Sequence, residues 1–412
     1  MNNTYICVFI KSKIKKIMKI SIQIPAPVRT VLNILWTSNA TCFLVGGAVR
    51  DLILNKPMKD WDIEVFGLDL PVILDILKDA NIQAEAVGID FGIIKANVQG
   101  FELDLAVPRT EIKTGDGHKG FEIKTNPKLD THTASARRDF TINSMMLNLA
   151  NGEVLDHHGG FEDCTSGVLR HTSPAFSEDA LRVLRAFQFI SRFGFTVAPE
   201  TLQLCQSLID ELAKISKSRF TAELRKFAKG NHHQQALQFA KQTGIAGLFG
   251  IADCNVENIE LSDLPISPNH TDDERLAIIL SVVLFINGKT QVPTPLSNCM
   301  SAQAQKACSQ LLSGLNAISF QKSAQANANW LLHLAPNWGR TQLQELLAFV
   351  FGNESLPIQV AMQNADAKPI INAKNMTLKG KELGDALKKL HFAQLDGKFQ
   401  TIEQGLALLP SL

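Results

Sequence analysis

The sequence predicts an α+β chain, with strands and helices mixed over residues 18–150 and helix dominating the rest. Three observations lead there. Residues alternate strictly at Asp60–Phe66 and again at Phe101–Val107, the period of a strand with one buried face. Apolar residues then recur at helical spacing in long stretches beginning at Asp179, Ala222, Asp273, Ala302, Asn327 and Lys381. A length of 412 residues with 45% apolar composition suffices for two or three consecutive domains. The expected divisions are a leader at 1–17, the mixed unit at 18–150, a first helical part at 151–230 and a second at 231–412.

Residues 1–17 are apolar and then lysine-rich, and Met18 opens a more conventional beginning, so the leader reads as a frayed tail or the product of an upstream start. An amphipathic helix follows over Val28–Trp36, then the apolar run Phe43–Val45, two glycines, a helix over Val49–Leu54 and a turn at Asn55–Pro57. The strand Asp60–Phe66, a helix over Pro71–Ala80 and strands near Gly92–Val98 and Phe101–Val107 complete the unit. Pro108–Ala136 carries Gly115, Gly117, Gly120 and Pro127 among many charges, and is expected to be a long mobile loop; such loops are often functional. An apolar strand-like run comes after Asn143, and joints in the helical part are expected at 264–269 and 292–297.

Lys and Arg number 41 against 40 Asp and Glu, so a formal net charge of +1 gives no global argument for a nucleic-acid partner, and any basic surface must be local. Seven cysteines at wide, irregular positions form no C-x-x-C pair, which points to reduced thiols and a cytoplasmic location and away from a structural zinc. No run approaches the roughly 18 apolar residues of a membrane span. Tyr5–Ile10 is too short for a secretory segment.

On the strand Asp60–Phe66, Asp60, Asp62 and Glu64 share one face while Trp61, Ile63 and Val65 share the other. Two carboxylates at i and i+2 can share a divalent cation, and oxygen ligands of this kind suit Mg²⁺; an isolated Asp-x-Asp is equally the solvated face of a half-buried strand. Asp104, alternating with Leu103 and Leu105, offers a third carboxylate from a second strand. Three carboxylates on neighbouring strands can hold two metals about 3.5 to 4 Å apart. Glu64 and Glu102 are expected to be solvated or secondary.

Gly46 and Gly47 stand between the apolar run and a helix start, where bare backbone N–H groups can receive phosphate oxygens. No Gly-Lys-Ser/Thr follows, so this is not a P-loop. Arg50, in the first helical turn, can meet phosphate or pair with Asp51.

Taken together, FLVGGAVRDLILNKPMKDWDIEVFG (43–67) resembles the signature of the class II tRNA nucleotidyltransferase and bacterial poly(A) polymerase family, within the DNA polymerase β-like superfamily. The resemblance implies a head with a five-stranded mixed sheet, then an all-α neck, body and tail. It assigns catalytic metals to Asp60 and Asp62, with Asp104 five residues before Arg109 as third carboxylate, where many relatives have Glu. ARRDFTINSM (136–145) looks like the ribose-recognition motif, nominating Arg138 and Asp139 with Arg137 beside them; an ion pair at a domain junction is the plainer reading. DHHGGFEDCTSGVLR (156–170) looks like the next block, with His157 in place of the usual Pro; His157 and His158 read as turn residues.

HTSPAFSEDALRVLRAFQFISRFGF (171–195) is the sharpest block. Ser177 can cap a helix that carries Glu178 and Asp179 in its first turn, with Asp179 and Arg182 on one face. In the family this helix serves as a protein template for base choice, so the resemblance gives that role to Asp179 and Arg182, with Arg185 in support. An i, i+3 Asp-Arg pair alone is usually a surface ion pair. ISKSRFTAELRKF (215–227) resembles the closing neck motif, where Arg219 and Arg225 would face nucleotide or RNA. INAKNMTLKGKELGDALKKL (371–390) looks like the tail of the RNA-binding part.

What the resemblance implies is Mg²⁺-dependent addition of C, C and A from CTP and ATP to a tRNA 3′ end, with A-only, CC-only or poly(A) synthesis as the near alternative and an inactive RNA-binding relative as the distant one. A tRNA acceptor arm would lie along surfaces bearing Arg192, Arg219, Arg225, Lys226, Lys229, Lys374, Lys379 and Lys381. The 108–136 loop would favour an enzyme able to change from CTP to ATP. No adjacent His-Asp occurs, so a phosphohydrolase activity is not expected.

Overall fold

A computed structural model describes residues 6–8, 18–58, 60–87, 92–113, 121–257, 259, 261–319, 321–334, 338–363, 369–395 and 397–409. The chain divides into two compact units, Met1–Ile215 and Ser216–Leu412. The break falls inside the stretch expected to be a neck.

The first unit is built on strands β1 (Ile6–Val8), β2 (Met18–Ser21), β3 (Thr41–Val45), β4 (Asp62–Phe66), β5 (Gln83–Ala86), β6 (Ile93–Val98), β7 (Phe101–Ala106), β8 (Arg109–Lys113), β9 (Phe121–Thr125), β10 (Met146–Asn148), β11 (Glu153–Leu155), β12 (Val168–Leu169) and β13 (Thr196–Val197). Nine of these form one mixed sheet in the order β1-β2-β11-β10-β3-β4-β7-β6-β5, where five strands were expected. The extra members are short or polar. The β5 segment Gln-Ala-Glu-Ala alternates with alanine alone, a weak strand signal, and hydrogen bonding to β6 makes it a strand. Part of the leader is also ordered: β1 pairs with β2, Cys7 opposite Ile20, which corrects the frayed-tail expectation for Ile6–Val8. The rest of 1–17 lies outside the described residues.

Helices α1 (Ala26–Thr37), α2 (Gly47–Ile53), α3 (Leu70–Asp79), α4 (Thr131–Ala136), α5 (Gly160–Ser166), α6 (Leu181–Phe193), α7 (Pro199–Ser207) and α8 (Ile209–Leu212) complete the unit. Val28, Val31, Leu32 and Leu35 recur along one face of α1 and are buried, in contact with α3, β3 and β7. Asn39, Asn55 and Asn81, just past α1, α2 and α3, take the left-handed conformation that ends a helix. The expected loop at 108–136 is largely regular: β8 and β9 form a hairpin, Arg109 opposite Thr125, and α4 is capped by Asp130, whose carboxylate accepts from the Thr133 N–H at 2.9 Å. Strand pairing here prevails over the charges of Arg109–Lys113 and Phe121–Thr125. Residues 114–120 lie outside the described set.

The second unit is helical: α9 (Lys217–Ala228), α10 (His233–Thr243), α11 (Ile245–Leu248), α12 (Asp272–Ile286), α13 (Thr294–Cys299), α14 (Ala302–Ala317), α15 (Ala324–Leu334), α16 (Arg340–Phe351), α17 (Leu356–Gln363), α18 (Gly380–Leu395) and α19 (Ile402–Leu408). Helix α12 is its centre, opened by a Thr271–Glu274 capping box and buried continuously from Leu276 to Leu284, with α9 and α14 packed against it. Among the described residues no helix is long and apolar enough to cross a membrane. Burial pushes the thiols of Cys42, Cys164, Cys205 and Cys308 up to about 12, so none is a nucleophile in the folded state.

Candidate active site

Strand β4 lies between β3 and β7, antiparallel to the first and parallel to the second, and register places Asp62 directly opposite Asp104. Asp60 sits just ahead of β4, not on it, so the shared-face argument holds for Asp62 and Glu64 alone. Asp60, Asp62 and Asp104 nevertheless line one cleft, with Trp61, Lys95, Gly100, Phe101 and Glu102. The Asp62 carboxyl is raised above its ordinary value by desolvation first, then by the negative charge of Asp104 and, less strongly, of Asp60; Arg138 opposes this. Carboxylates crowded this way are relieved by a cation. Among the described residues no three Asp, Glu, His or Cys side chains converge on one point. Asp60, Asp62 and Asp104 are oxygen donors of the kind a hard divalent cation takes.

Glu64, the next residue on that face, overturns the expectation that it is solvated. Its side chain is wholly buried, and its two oxygens accept from Arg137 Nη2 and Arg138 Nη2, both at 3.2 Å. Arg138 Nη1 lies over the glycine turn, 3.2 Å from where a Cβ on Gly46 would stand. Gly46 also has φ +71°, so a side chain there is excluded twice. The turn, Arg138 and the carboxylate cleft are thus parts of one place. Gly47 opens α2 beside Arg50.

Arg50 itself is turned inward. It is 4% exposed, donates to Asp51 Oδ1 from Nε and Nη2 at 3.0 and 2.7 Å and to Asn143 Oδ1 at 2.6 Å, and lies over the rings of Phe189 and Phe193. The pairing with Asp51 is present in this structure. Asp139 is locked similarly, accepting from Arg185 Nε at 2.6 Å, Asn143 Nδ2 at 2.9 Å and the Phe140 N–H at 2.9 Å. Burial acts to raise its carboxyl, but the Arg185 charge and these hydrogen bonds outweigh it and hold the group below the ordinary carboxylate range. Asp139 and Arg185 are therefore an internal ion pair that ties the 136–145 segment to α6.

The expected template residues differ in detail. A 3₁₀ turn, Pro174–Glu178, precedes α6, and Asp179 is extended between them, its carboxylate accepting from the Leu181 N–H at 3.0 Å. Ser177 bonds back to Pro174 O and does not cap α6. Arg182 donates to Ala175 O and to Arg137 O, both at 2.7 Å, so its guanidinium joins the turn to the Arg137–Arg138 segment. The helix starts later than its charge pattern implies, because Asp179 is extended (φ −131°, ψ 104°) at the end of the 3₁₀ turn.

Residues 42–170 match the model of the poly(A) polymerase head domain, and residues 194–249 match that of the probable RNA and SrmB-binding site of polymerase A. These two segments, together somewhat under half of the chain, are its likeness to the poly(A) polymerase family that its motifs resemble. It is 38% identical over 218 residues to a multifunctional CCA protein of Nitrosococcus oceani, and 40% identical over 210 residues to one of Xanthomonas campestris. These matches cover 52% and 49% of this chain and 51% and 48% of the relatives, so the chain spans about half the length of the curated relatives it matches. The fold is that of the Bacillus stearothermophilus CCA-adding enzyme solved with CTP, at TM-score 0.67, 22% identity and coverage of 94% of this chain and 98% of that one. It is also that of the Thermotoga maritima CCA-adding enzyme solved with tRNA, at TM-score 0.57, 20% identity and coverage of 92% and 94%.

The block at 156–170 is held by close approach. Asp156 accepts from the Gly160 and Phe161 N–H groups, at 2.8 and 2.9 Å, and a Cβ on Gly160 would stand 2.1 Å from Thr141 O. His157 and His158 bond Thr131 Oγ1 at 2.9 Å and Ser135 Oγ at 3.0 Å, holding the loop to α4 as turn residues. Of the cations expected to face RNA, Arg225 is bidentate to Asp273 at 2.8 Å, Lys226 pairs with Glu223 at 2.7 Å and Lys229 with Asp272 at 2.9 Å. Arg219 lies half-buried on α9, and Lys374, Lys379 and Lys381 are exposed. Sequence reasoning missed Glu64 and Asn143 as members of the site. The Glu64 partners are 73 and 74 residues away in the chain and Arg50 is 93 residues from Asn143, so only the Asn143–Asp139 bond, four residues apart, is local.

Proposed function

We propose that this protein is a CCA-adding tRNA nucleotidyltransferase, transferring C, C and A from CTP and ATP to a tRNA 3′ end without a nucleic-acid template. The observation that carries the reading is the placing of Asp62 opposite Asp104, with Asp60 in the same cleft and Arg138 over the Gly46 turn. In the reaction proposed, an RNA 3′-hydroxyl oxygen attacks the α-phosphorus; a P–O bond forms, the hydroxyl proton leaves to water and pyrophosphate departs. Asp60, Asp62 and Asp104 would hold Mg²⁺. Bound there, the metal supplies Lewis acidity that activates the hydroxyl and neutralises charge on the leaving group. Gly46 and Gly47 present backbone to the phosphates, and Arg138 supplies donors beside them. Asp139, Asn143, Arg185 and Arg50 position this segment from behind. Asp179 and Arg182 would read the base, and Arg219 with the exposed lysines of 374–381 would meet RNA phosphates. The relatives named for CCA activity share 38% and 40% identity over half of the chain, which supports the CCA reading. Buried unpaired cysteines suit a cytoplasmic location.

The test is to incubate the purified protein and Mg²⁺ with tRNAs ending before CCA, after C and after CC, with CTP, ATP or both, and to sequence the 3′ ends. Two C additions and then one A are expected. A-only extension of the CC-ending tRNA, or long A tails on unrelated RNA, would replace the proposal with an A-adding or poly(A)-forming activity. Tight tRNA binding without any transfer would leave a binding protein.

A further inference from the structure

We propose that Glu64 is a positioning residue of the nucleotide site, holding Arg137 and Arg138 off the metal-side carboxylates and aiming Arg138 along the Gly46 turn; the inference rests on the nucleotidyltransferase reading above. Glu64 shares a strand face with Asp62, two residues away, yet the two have opposite surroundings. Asp62 opens to the cleft, while Glu64 has no exposed surface. An unpaired carboxylate buried that far would cost several kcal/mol, so its two arginine partners are a condition of its presence.

Each oxygen takes one guanidinium, Arg137 and Arg138 at 3.2 Å. One negative and two positive charges leave a net charge of +1 directly behind the glycine turn. Arg138 spends Nη2 on Glu64, and its Nε is buried with no hydrogen-bond partner among the described residues. A buried donor without an acceptor is costly, and the same guanidinium presents Nη1 at the Gly46 turn, where an anionic or hydroxyl oxygen would meet it. A nucleotide's sugar or phosphate is that kind of group. Arg137, through its carbonyl, also accepts from Arg182 at 2.7 Å, so Glu64 fixes the segment that links the carboxylate cleft to the base-reading residues.

The geometry further gives Glu64 a role in keeping two sets of charge apart. Arg138 already acts on the Asp62 carboxyl. Without Glu64, Arg138 loses the anion that holds its Nη2, and a guanidinium drawn onto Asp62 would compete with a cation bound there.

The experiment compares wild type, Glu64→Gln and Glu64→Asp in the full chain, with circular dichroism as a check on folding. Equilibrium dialysis of labelled CTP and steady-state transfer to a tRNA ending before CCA are both measured across a Mg²⁺ titration. For Glu64→Gln we expect CTP affinity and KM to weaken about tenfold, kcat to stay within about threefold, and half-maximal activity to need more Mg²⁺; Glu64→Asp, which keeps the charge, is expected to recover part of the CTP affinity. A folded Glu64→Gln protein with wild-type CTP affinity and Mg²⁺ requirement overturns the proposal, as does a loss confined to kcat. If Glu64→Gln does not fold, Glu64→Asp decides: unchanged CTP affinity and Mg²⁺ requirement reject the role. Failure of the wild type to bind or transfer nucleotides would reject the nucleotidyltransferase reading itself, a result separate from any difference among the variants.

Discussion

Asp62 and Asp104 face each other across a parallel strand pair, and the second raises the carboxyl pKa of the first. Burial is the larger cause and the Asp104 charge adds to it, so the two carboxylates oppose each other's ionisation.

Asp60→Ala, Asp62→Ala and Asp104→Ala are each expected to lower transfer by at least on the order of a thousandfold with the fold intact, because a two-metal centre loses its charge geometry when one ligand goes. Single-turnover transfer and circular dichroism check this; near-normal rates in the Asp60 and Asp62 variants would remove the assignment.

The raised Asp62 carboxyl also makes a stability prediction. A carboxyl whose folded pKa lies above its unfolded value destabilises the fold once ionised, so the penalty is present at neutral pH and disappears as pH falls below the unfolded value. In EDTA, Asp62→Asn is expected to melt higher than wild type at pH 7 and no higher at pH 3. Added Mg²⁺ is expected to raise the wild-type Tm and not that of the variant.

Asp179→Ala and Arg182→Ala are expected to degrade base choice more than metal-dependent chemistry, since each lost base-edge contact is worth about 1 to 3 kcal/mol. Arg182→Ala also loses its bonds to Ala175 O and Arg137 O, and Asp179→Ala its bond from the Leu181 N–H, so both are expected to lower Tm, the first by more. Competition of CTP and ATP against UTP and GTP provides the readout; unchanged selectivity in both variants rejects the templating role.

In the second unit, Arg225→Ala is expected to act first on stability. The Arg225 hydrogen bonds hold the Asp273 carboxyl below its ordinary value despite burial, with Ser301 adding a further bond. A depressed folded pKa contributes stability above the unfolded value and loses it as pH falls through the folded one. The Tm gap between wild type and Arg225→Ala is therefore expected to be widest near neutrality and to close in acid. Loss of tRNA affinity with an unchanged Tm would restore Arg225 to the RNA surface.

Gly160→Ala places a methyl group against the Thr141 carbonyl, backbone that cannot swing aside. Overpacking of this kind typically costs about 1 to 3 kcal/mol, and the displaced 141–143 turn carries Asn143, the partner of Arg50 and Asp139. Both a lower Tm and weaker nucleotide binding are expected, whereas Gly397→Ala, with open space around it, is expected to affect stability alone.

The sequence by itself determined the features that repeat locally. Period-two alternation marked β4 and β7, helical spacing marked α1, α3, α6 and the long helices of the second unit, and the Gly46–Gly47 turn with Asp60, Asp62 and Asp104 could be named from residue type and spacing. These depend on neighbours two to four positions apart, which a sequence displays. Tertiary structure alone decided which polar residues face one another. Glu64 continues the face of Asp62 in the pattern, but Arg137 and Arg138 arrive from more than 70 residues away and seal it in. Arg50 turns from the phosphate side because Asn143 and two phenylalanine rings enclose it, and β5 and β11 become strands because a neighbour's unpaired backbone recruits them. Charge pairing and edge pairing are satisfied by whatever the fold brings within reach, and the order of residues along the chain carries no record of that distance.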